Sequence, residues 1–196
     1  MREEIVESSG NIDFRGFPPL WTLMAEKKWR NEYEISVIFT GTIGFVAPSF
    51  GCAEPPYKTA FLHAQEKLAE SGYKLELGPN CYAREGIGIS NTPEKCGEEL
   101  NDFLCSDKSD VLISCGGGEL MCEVLDYVDF DRIRKAEPKW YMGYSDNTNL
   151  VFLLTTLCDT AAVYGPCAGS FGMEPWHESI QDALDLLRGK KLVMKG

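Results

Sequence analysis

Trp140-Tyr141-Met142-Gly143-Tyr144-Ser145-Asp146-Asn147-Thr148 is the stretch on which the fold turns. A short apolar run ends in a serine two residues after Gly143 and passes directly into a helical apolar pattern over residues 150–157. Such a join reads as strand, tight turn and helix, with the serine hydroxyl exposed at the strand's end and the next helix aiming its first N–H groups at the same spot. Gly143 supplies the room that a tight turn needs. Ser145 is therefore a candidate nucleophile, with an ordinary helix-capping turn as the alternative reading.

Upstream, Val111-Leu112-Ile113-Ser114 is a continuous apolar run suited to a strand buried on both faces, and it breaks into Cys115-Gly116-Gly117-Gly118. Residues 43–47 form a further short strand closed by Pro48-Ser49, and residues 73–77 alternate as another. Helices are predicted over 57–71, where Ala60, Phe61, Ala64 and Leu68 recur at helical spacing before Gly72, and over 92–106, with Thr92 as cap. Shorter helical patterns cover 130–136, 147–157 and 179–188, and 161–164 reads as a last strand. Strands alternating with helices predict an α/β fold, a mostly parallel sheet flanked by helices. Pro48-Ser49, the glycine triplet, Ser145 and Gly165-Pro166 all fall at the carboxyl ends of strands, where ligands gather in such folds.

Residues 1–40 do not join this alternation. Within them, 20–30 could form an amphipathic helix and 34–40 a strand. The α/β domain is predicted over 41–189, and residues 190–196 read as the start of a linker.

The chain of 196 residues carries a formal charge of −11, with 44% hydrophobic and 25% charged residues. That balance fits a globular domain and argues against duplex nucleic acid or an anionic membrane, whose binding needs concentrated Lys and Arg. No apolar run approaches the ~20 residues of a membrane span. The acidic start Met1-Arg2-Glu3-Glu4 is no signal peptide, so a cytoplasmic location is the expectation. The eight cysteines form no CxxC pair and have only His63 and His177 to assist them, which argues against zinc. Cys105, Cys115 and Cys122 lie in or beside apolar segments and read as buried, reduced thiols. Asp126, Asp129 and Asp131 read as helix-start acids rather than a cation site.

A serine nucleophile needs a base, an orienting acid and an oxyanion hole. The sequence can supply the last: one N–H from Asp146 and another from the Gly116-Gly117-Gly118 loop, where missing side chains let the backbone approach a substrate. A turn or a phosphate cradle is the alternative reading of these glycines. Glu119 could cap the following helix or contact a substrate amine. For the base, His63 sits on a solvated helix position, and His177 opens the last helix, where helix-start duty is commoner than catalysis.

The segment 42–189 resembles the LD-carboxypeptidase family of serine peptidases, which includes the microcin C self-immunity proteins. The resemblance is carried by Thr42-Ile43-Gly44-Phe45-Val46-Ala47-Pro48-Ser49, Ser114-Cys115-Gly116-Gly117-Gly118-Glu119 and Leu125-Asp126-Tyr127-Val128-Asp129-Phe130. It continues in Gly143-Tyr144-Ser145-Asp146-Asn147-Thr148 and Tyr164-Gly165-Pro166. Gly172-Met173-Glu174-Pro175-Trp176-His177 looks more like the microcin-immunity branch. The resemblance implies the Rossmann- or flavodoxin-like N-terminal domain of that fold. It makes Ser145 the nucleophile, with Asp146 and Gly116 or Gly117 N–H groups as the oxyanion hole and Gly118, Glu119 and Ser49 beside the substrate.

It implies no metal and no cofactor, a cytoplasmic protein that is commonly a homodimer, and a small peptide or aminoacyl nucleotide as substrate. Family members draw the triad Glu and His from a second, C-terminal domain, before which this chain stops; residues 1–40 have no counterpart. The leading expectation is thus the nucleophile domain of a serine hydrolase, inactive or nearly so alone. The alternatives are a non-catalytic binding module for a peptide or aminoacyl nucleotide and, last, an α/β-hydrolase esterase using His177. The missing second glycine in Gly143-Tyr144-Ser145-Asp146-Asn147 argues against the esterase.

Overall fold

The computed structural model describes residues 41–188 and Lys190. The expectations for residues 1–40 and for 191–196 lie outside the described residues. Five strands, β1 (Thr42–Val46), β2 (Lys74–Leu77), β3 (Val111–Ser114), β4 (Trp140–Gly143) and β5 (Val163–Tyr164), pair in the order β2-β1-β3-β4-β5. Every pairing is parallel. The order reverses between β1 and β3, so the crevice beyond their carboxyl ends is the topological switch point of a doubly wound sheet.

The helices are α1 (Tyr57–Glu70), α2 (Pro93–Cys105), α3 (Met121–Val124), α4 (Phe130–Lys135), α5 (Thr148–Cys158) and α6 (Glu178–Leu187). Alternation along each strand divides the core into two layers. Ile43, Phe45, Val111, Ile113 and Met142 face α1, α6 and the 3₁₀ turn Ala168–Gly172, where they meet Phe61, Leu68, Phe171 and Leu184. Val46, Leu112 and Tyr141 face the other way, onto Leu100, Met121, Ile133, Leu150 and Leu154. With both faces covered, the central strand β3 is buried throughout, as its unbroken apolar run requires.

Local signals set the helix ends. Thr92 accepts from the Lys95 N–H and Asp129 from the Arg132 N–H, each satisfying an orphan donor of the first turn. Gly72, at φ +90°, carries the chain out of α1 in a conformation that favours glycine. Three elements differ from expectation in extent or presence. The last strand spans only Val163–Tyr164, because the Thr160 N–H still returns to the Leu154 carbonyl and Asp159 closes α5 at φ +50°. The helix after Glu119, expected without bounds, is only Met121–Val124, and the 3₁₀ turn Leu125–Tyr127 was not foreseen; at four and three residues they are too short for a periodic signal.

Among the described residues, no helix is long and apolar enough to cross a membrane. Cys115 is buried and Cys105 half-buried, but Cys122 is exposed, which corrects its reading as a buried thiol: one short outer turn of helix gives it no layer to face. Asp129 caps α4 and Asp131 pairs with Arg134 at 3.0 Å, the helix-start duty expected of these acids.

Candidate active site

The carboxyl ends of β1, β3 and β4 open into one cleft of about 550 Å³. Phe50 follows β1, the glycine triplet follows β3 and Tyr144-Ser145 follows β4; all of them line it. Phe50 and Tyr57 form an aromatic wall, their rings edge to face with centroids 4.8 Å apart. Cys52, Cys115 and Cys167 give the cleft an apolar, sulfur-rich lining.

Ser145 occupies the turn between β4 and α5 with φ +66°, a left-handed conformation that costs a non-glycine residue on the order of 1–3 kcal/mol. Strain of this kind persists where the surroundings over-determine it, and here they do. The Ser145 N–H donates to the Tyr164 hydroxyl at 3.4 Å and its carbonyl accepts from Thr148 Oγ1 at 2.5 Å. The side chain is left exposed at the cleft, across from Gly117. A β-carbon on Gly117 would lie 2.7 Å from that of Ser145 and 3.0 Å from its Oγ. Only a glycine allows the two loops this approach.

Asp146 is the second residue of the 3₁₀ turn Ser145–Asn147, so its N–H is among the unsatisfied donors of a helix start. Its carboxylate is engaged elsewhere: Oδ2 accepts from Ser49 Oγ at 2.7 Å and from the Met121 N–H at 3.2 Å. That bond overturns the capping role considered for Glu119, since Asp146 holds the N-terminus of α3. Glu119 itself is exposed and outside the cleft lining. Ser49 also needs correction as a substrate contact. It is 0% exposed, its hydroxyl is committed to Asp146, and Gly118 lies so close that a β-carbon there would sit 2.1 Å from Ser49 Oγ. Ser49 ties the β1 loop to the Ser145 turn instead. Gly116, Gly117 and Gly118 all line the cleft.

Neither histidine does. His63 is exposed on α1, and His177 caps α6, its Nδ1 accepting from the Ser179 N–H at 3.3 Å.

Several residues that shape the site escaped the sequence reading. Asn147, expected at a helix start, is 0% exposed and reaches across to Gly116. Glu99 is buried on α2, where its carboxylate accepts from the Ala47 N–H at 2.8 Å and the Asn80 N–H at 2.9 Å. It thereby clamps the loops after β1 and β2. Burial pushes its pKa up to about 7, against the pull of those two N–H donors. The available signal was an acid on the apolar stripe of Cys96, Leu100 and Leu104. Near the cleft, the neighbouring Cys115 thiol lowers the Cys52 pKa despite burial, while burial raises Cys167 to about 11.

Residues 43–165 match the family profile described as the LD-carboxypeptidase N-terminal domain. The chain is 30% identical over 135 residues to the microcin C7 self-immunity protein MccF of Escherichia coli, a match covering 68% of this chain and 38% of MccF. It is 29% identical over 149 residues to a putative carboxypeptidase of Vibrio cholerae, covering 74% of this chain and 43% of the relative. A structure of MccF in complex with glutamyl sulfamoyl guanosine superposes with a TM-score of 0.69 at 26% identity, over 76% of this chain and 44% of that one. MccF in complex with aspartyl sulfamoyl adenosine superposes with a TM-score of 0.69 at 27% identity, over 75% and 44%. The chain spans about two fifths of the length of the curated relatives it matches.

Proposed function

This chain belongs to the LD-carboxypeptidase family of serine peptidases, and from that premise we propose that Ser145 is the nucleophile of an amide hydrolase acting on a small peptide or an aminoacyl nucleotide. The observation that carries the reading is the left-handed Ser145, at φ +66°, facing Gly117 across a cleft at the strand ends. Ser145 Oγ attacks the scissile carbonyl while a base takes its proton. The carbonyl oxygen becomes an oxyanion held by the Asp146 N–H and a glycine-loop N–H. Collapse expels the amine, which takes the proton back from the base, and water then hydrolyses the acyl-enzyme.

The base and its orienting acid come from polypeptide beyond these 196 residues, because neither His63 nor His177 lines the cleft. The chain alone is then inactive or nearly so. Hydrolysis of a sulfamoyl-linked aminoacyl nucleoside or a murein-type peptide by residues 1–196, abolished by Ser145→Ala, would overturn that statement. The intact mass of the protein from its native source completes the test: a mass well above 21.9 kDa identifies a second half to supply the base.

The absence of both histidines from the cleft also favours a second reading, a binding module that holds the same ligand class without cutting it. Binding that survives Ser145→Ala, with no product from the protein as isolated, selects it over the hydrolase.

A further inference from the structure

Asn147 is buried completely, and its side-chain amide is fully engaged. Its Oδ1 accepts from the Tyr141 hydroxyl. Its Nδ2 donates to the Gly116 carbonyl at 3.0 Å and the Tyr144 carbonyl at 2.9 Å, and contacts Cys167 Sγ at 3.8 Å. Two carbonyls facing one end and a phenolic hydroxyl the other fix which way the amide points. The strand leaves space for it: a β-carbon on Gly143 would lie 2.7 Å from Asn147 Cγ.

Both carbonyls held by Asn147 belong to peptide units that face the cleft. A trans peptide is planar, and its N–H points opposite to its C=O. Among the described residues, the cis bonds are Pro55-Pro56 and Glu174-Pro175, so the Gly116-Gly117 and Tyr144-Ser145 units are trans. The Gly116 carbonyl is drawn inward by Asn147 Nδ2 and by Ser114 Oγ, which donates at 2.8 Å. The Gly117 N–H is therefore turned the other way, toward the cleft that Gly117 and Ser145 line together. The same logic turns the Ser145 N–H away from Asn147, and it meets the Tyr164 hydroxyl. One carboxamide thus sets two peptide planes, one at the end of β3 and one at the end of β4.

We infer that Asn147 is a positioning residue: by holding the Gly116 and Tyr144 carbonyls it aims the Gly117 N–H at the carbonyl oxygen of a substrate attacked by Ser145. This rests on the reading of Ser145 as nucleophile. It distinguishes Gly117 from Gly116 as the loop's oxyanion donor. Asparagine suits the position because it offers two N–H donors and an acceptor on a stem one methylene shorter than glutamine's.

The test uses the protein as isolated at its full native length. Steady-state hydrolysis of an aminoacyl sulfamoyl nucleoside is measured for wild type and Asn147→Ala, and crystal structures of both are determined. An oxyanion donor is worth about 10²–10³ in rate, so its misalignment lowers kcat by about ten- to hundredfold with KM near the wild-type value. In the crystal, the Gly116-Gly117 peptide rotates away from its wild-type orientation. A kcat within about twofold of wild type, a loss confined to KM, or an unrotated peptide overturns the inference. Should Asn147→Ala fail to fold, Asn147→Ser, which removes both amide donors without burying a charge against the two carbonyls, carries the same two readouts. If wild type turns over neither this nucleoside nor a murein-type peptide, the hydrolase reading fails, and the peptide orientation alone decides whether Asn147 sets Gly117.

Discussion

Gly117 and Ser145 approach so closely that no side chain fits between them; a β-carbon on Gly117 would stand 2.7 Å from the Ser145 β-carbon. Adding that methyl group must displace either the nucleophile or the glycine loop. Gly117→Ala is expected to lower turnover of the complete protein by about 10²-fold, the cost of a misplacement near 1 Å, and to destabilise by about 1–2 kcal/mol. Kinetics alongside urea unfolding check both, and unchanged kinetics would contradict the geometry.

Strain at Ser145 makes a stability prediction that runs against intuition. Ser145→Gly relieves the left-handed backbone, offset in part by the greater freedom of an unfolded glycine. The net expectation is a gain of about 1 kcal/mol in unfolding free energy with loss of any hydrolysis. Ser145→Ala removes the hydroxyl but keeps the strain, so its stability stays near wild type. A destabilised glycine variant would mean the hydroxyl holds the turn together.

Glu99 predicts the pH dependence of stability. Its folded pKa, about 7, lies above that of an unfolded glutamate near ~4.3, so between these values the folded protein holds a proton that the unfolded chain has released. The contribution is complete below the unfolded value and is lost as pH rises through about 7, amounting to roughly 4 kcal/mol at most. Thermal unfolding from pH 5 to 8 should show that decline in wild type and a flatter profile in Glu99→Gln. The variant is also less stable at pH 5, because its amide NH₂ faces a backbone N–H. Parallel profiles would remove Glu99 from the account.

Two glycines in one 3₁₀ turn should respond very unequally to alanine. At Gly172 a β-carbon would lie 2.0 Å from the Ala60 carbonyl oxygen, a backbone atom on α1 that cannot swing aside. At Gly169 the nearest atom is the Ala60 β-carbon, at 3.8 Å, an ordinary contact. Gly172→Ala should cost on the order of 3 kcal/mol, and Gly169→Ala should stay within about 0.5 kcal/mol of wild type. Chemical denaturation of the two variants side by side decides the matter.

By itself the sequence determined the alternation of strands and helices, because each element carries its own periodicity, cap or breaker. Val111–Ser114 had to be a buried strand, Thr92 and Gly72 had to bound helices, and the glycine triplet and Ser145 had to stand at strand ends. Parallel pairing then brought those ends to one side of the sheet. What the sequence left open were relations between residues far apart in the chain, for which no local signal exists. Only the tertiary structure decided that Ser49 would serve Asp146 rather than a substrate, that Asp146 and not Glu119 would cap α3, and that Glu99 would clamp two loops from beneath. Asn147 shows the reason most plainly. Read along the chain it is a polar residue opening a helix. In the fold, the spacing of β3 and β4 puts the Gly116 carbonyl within 3.0 Å of its amide, and a buried amide must find acceptors for its N–H groups.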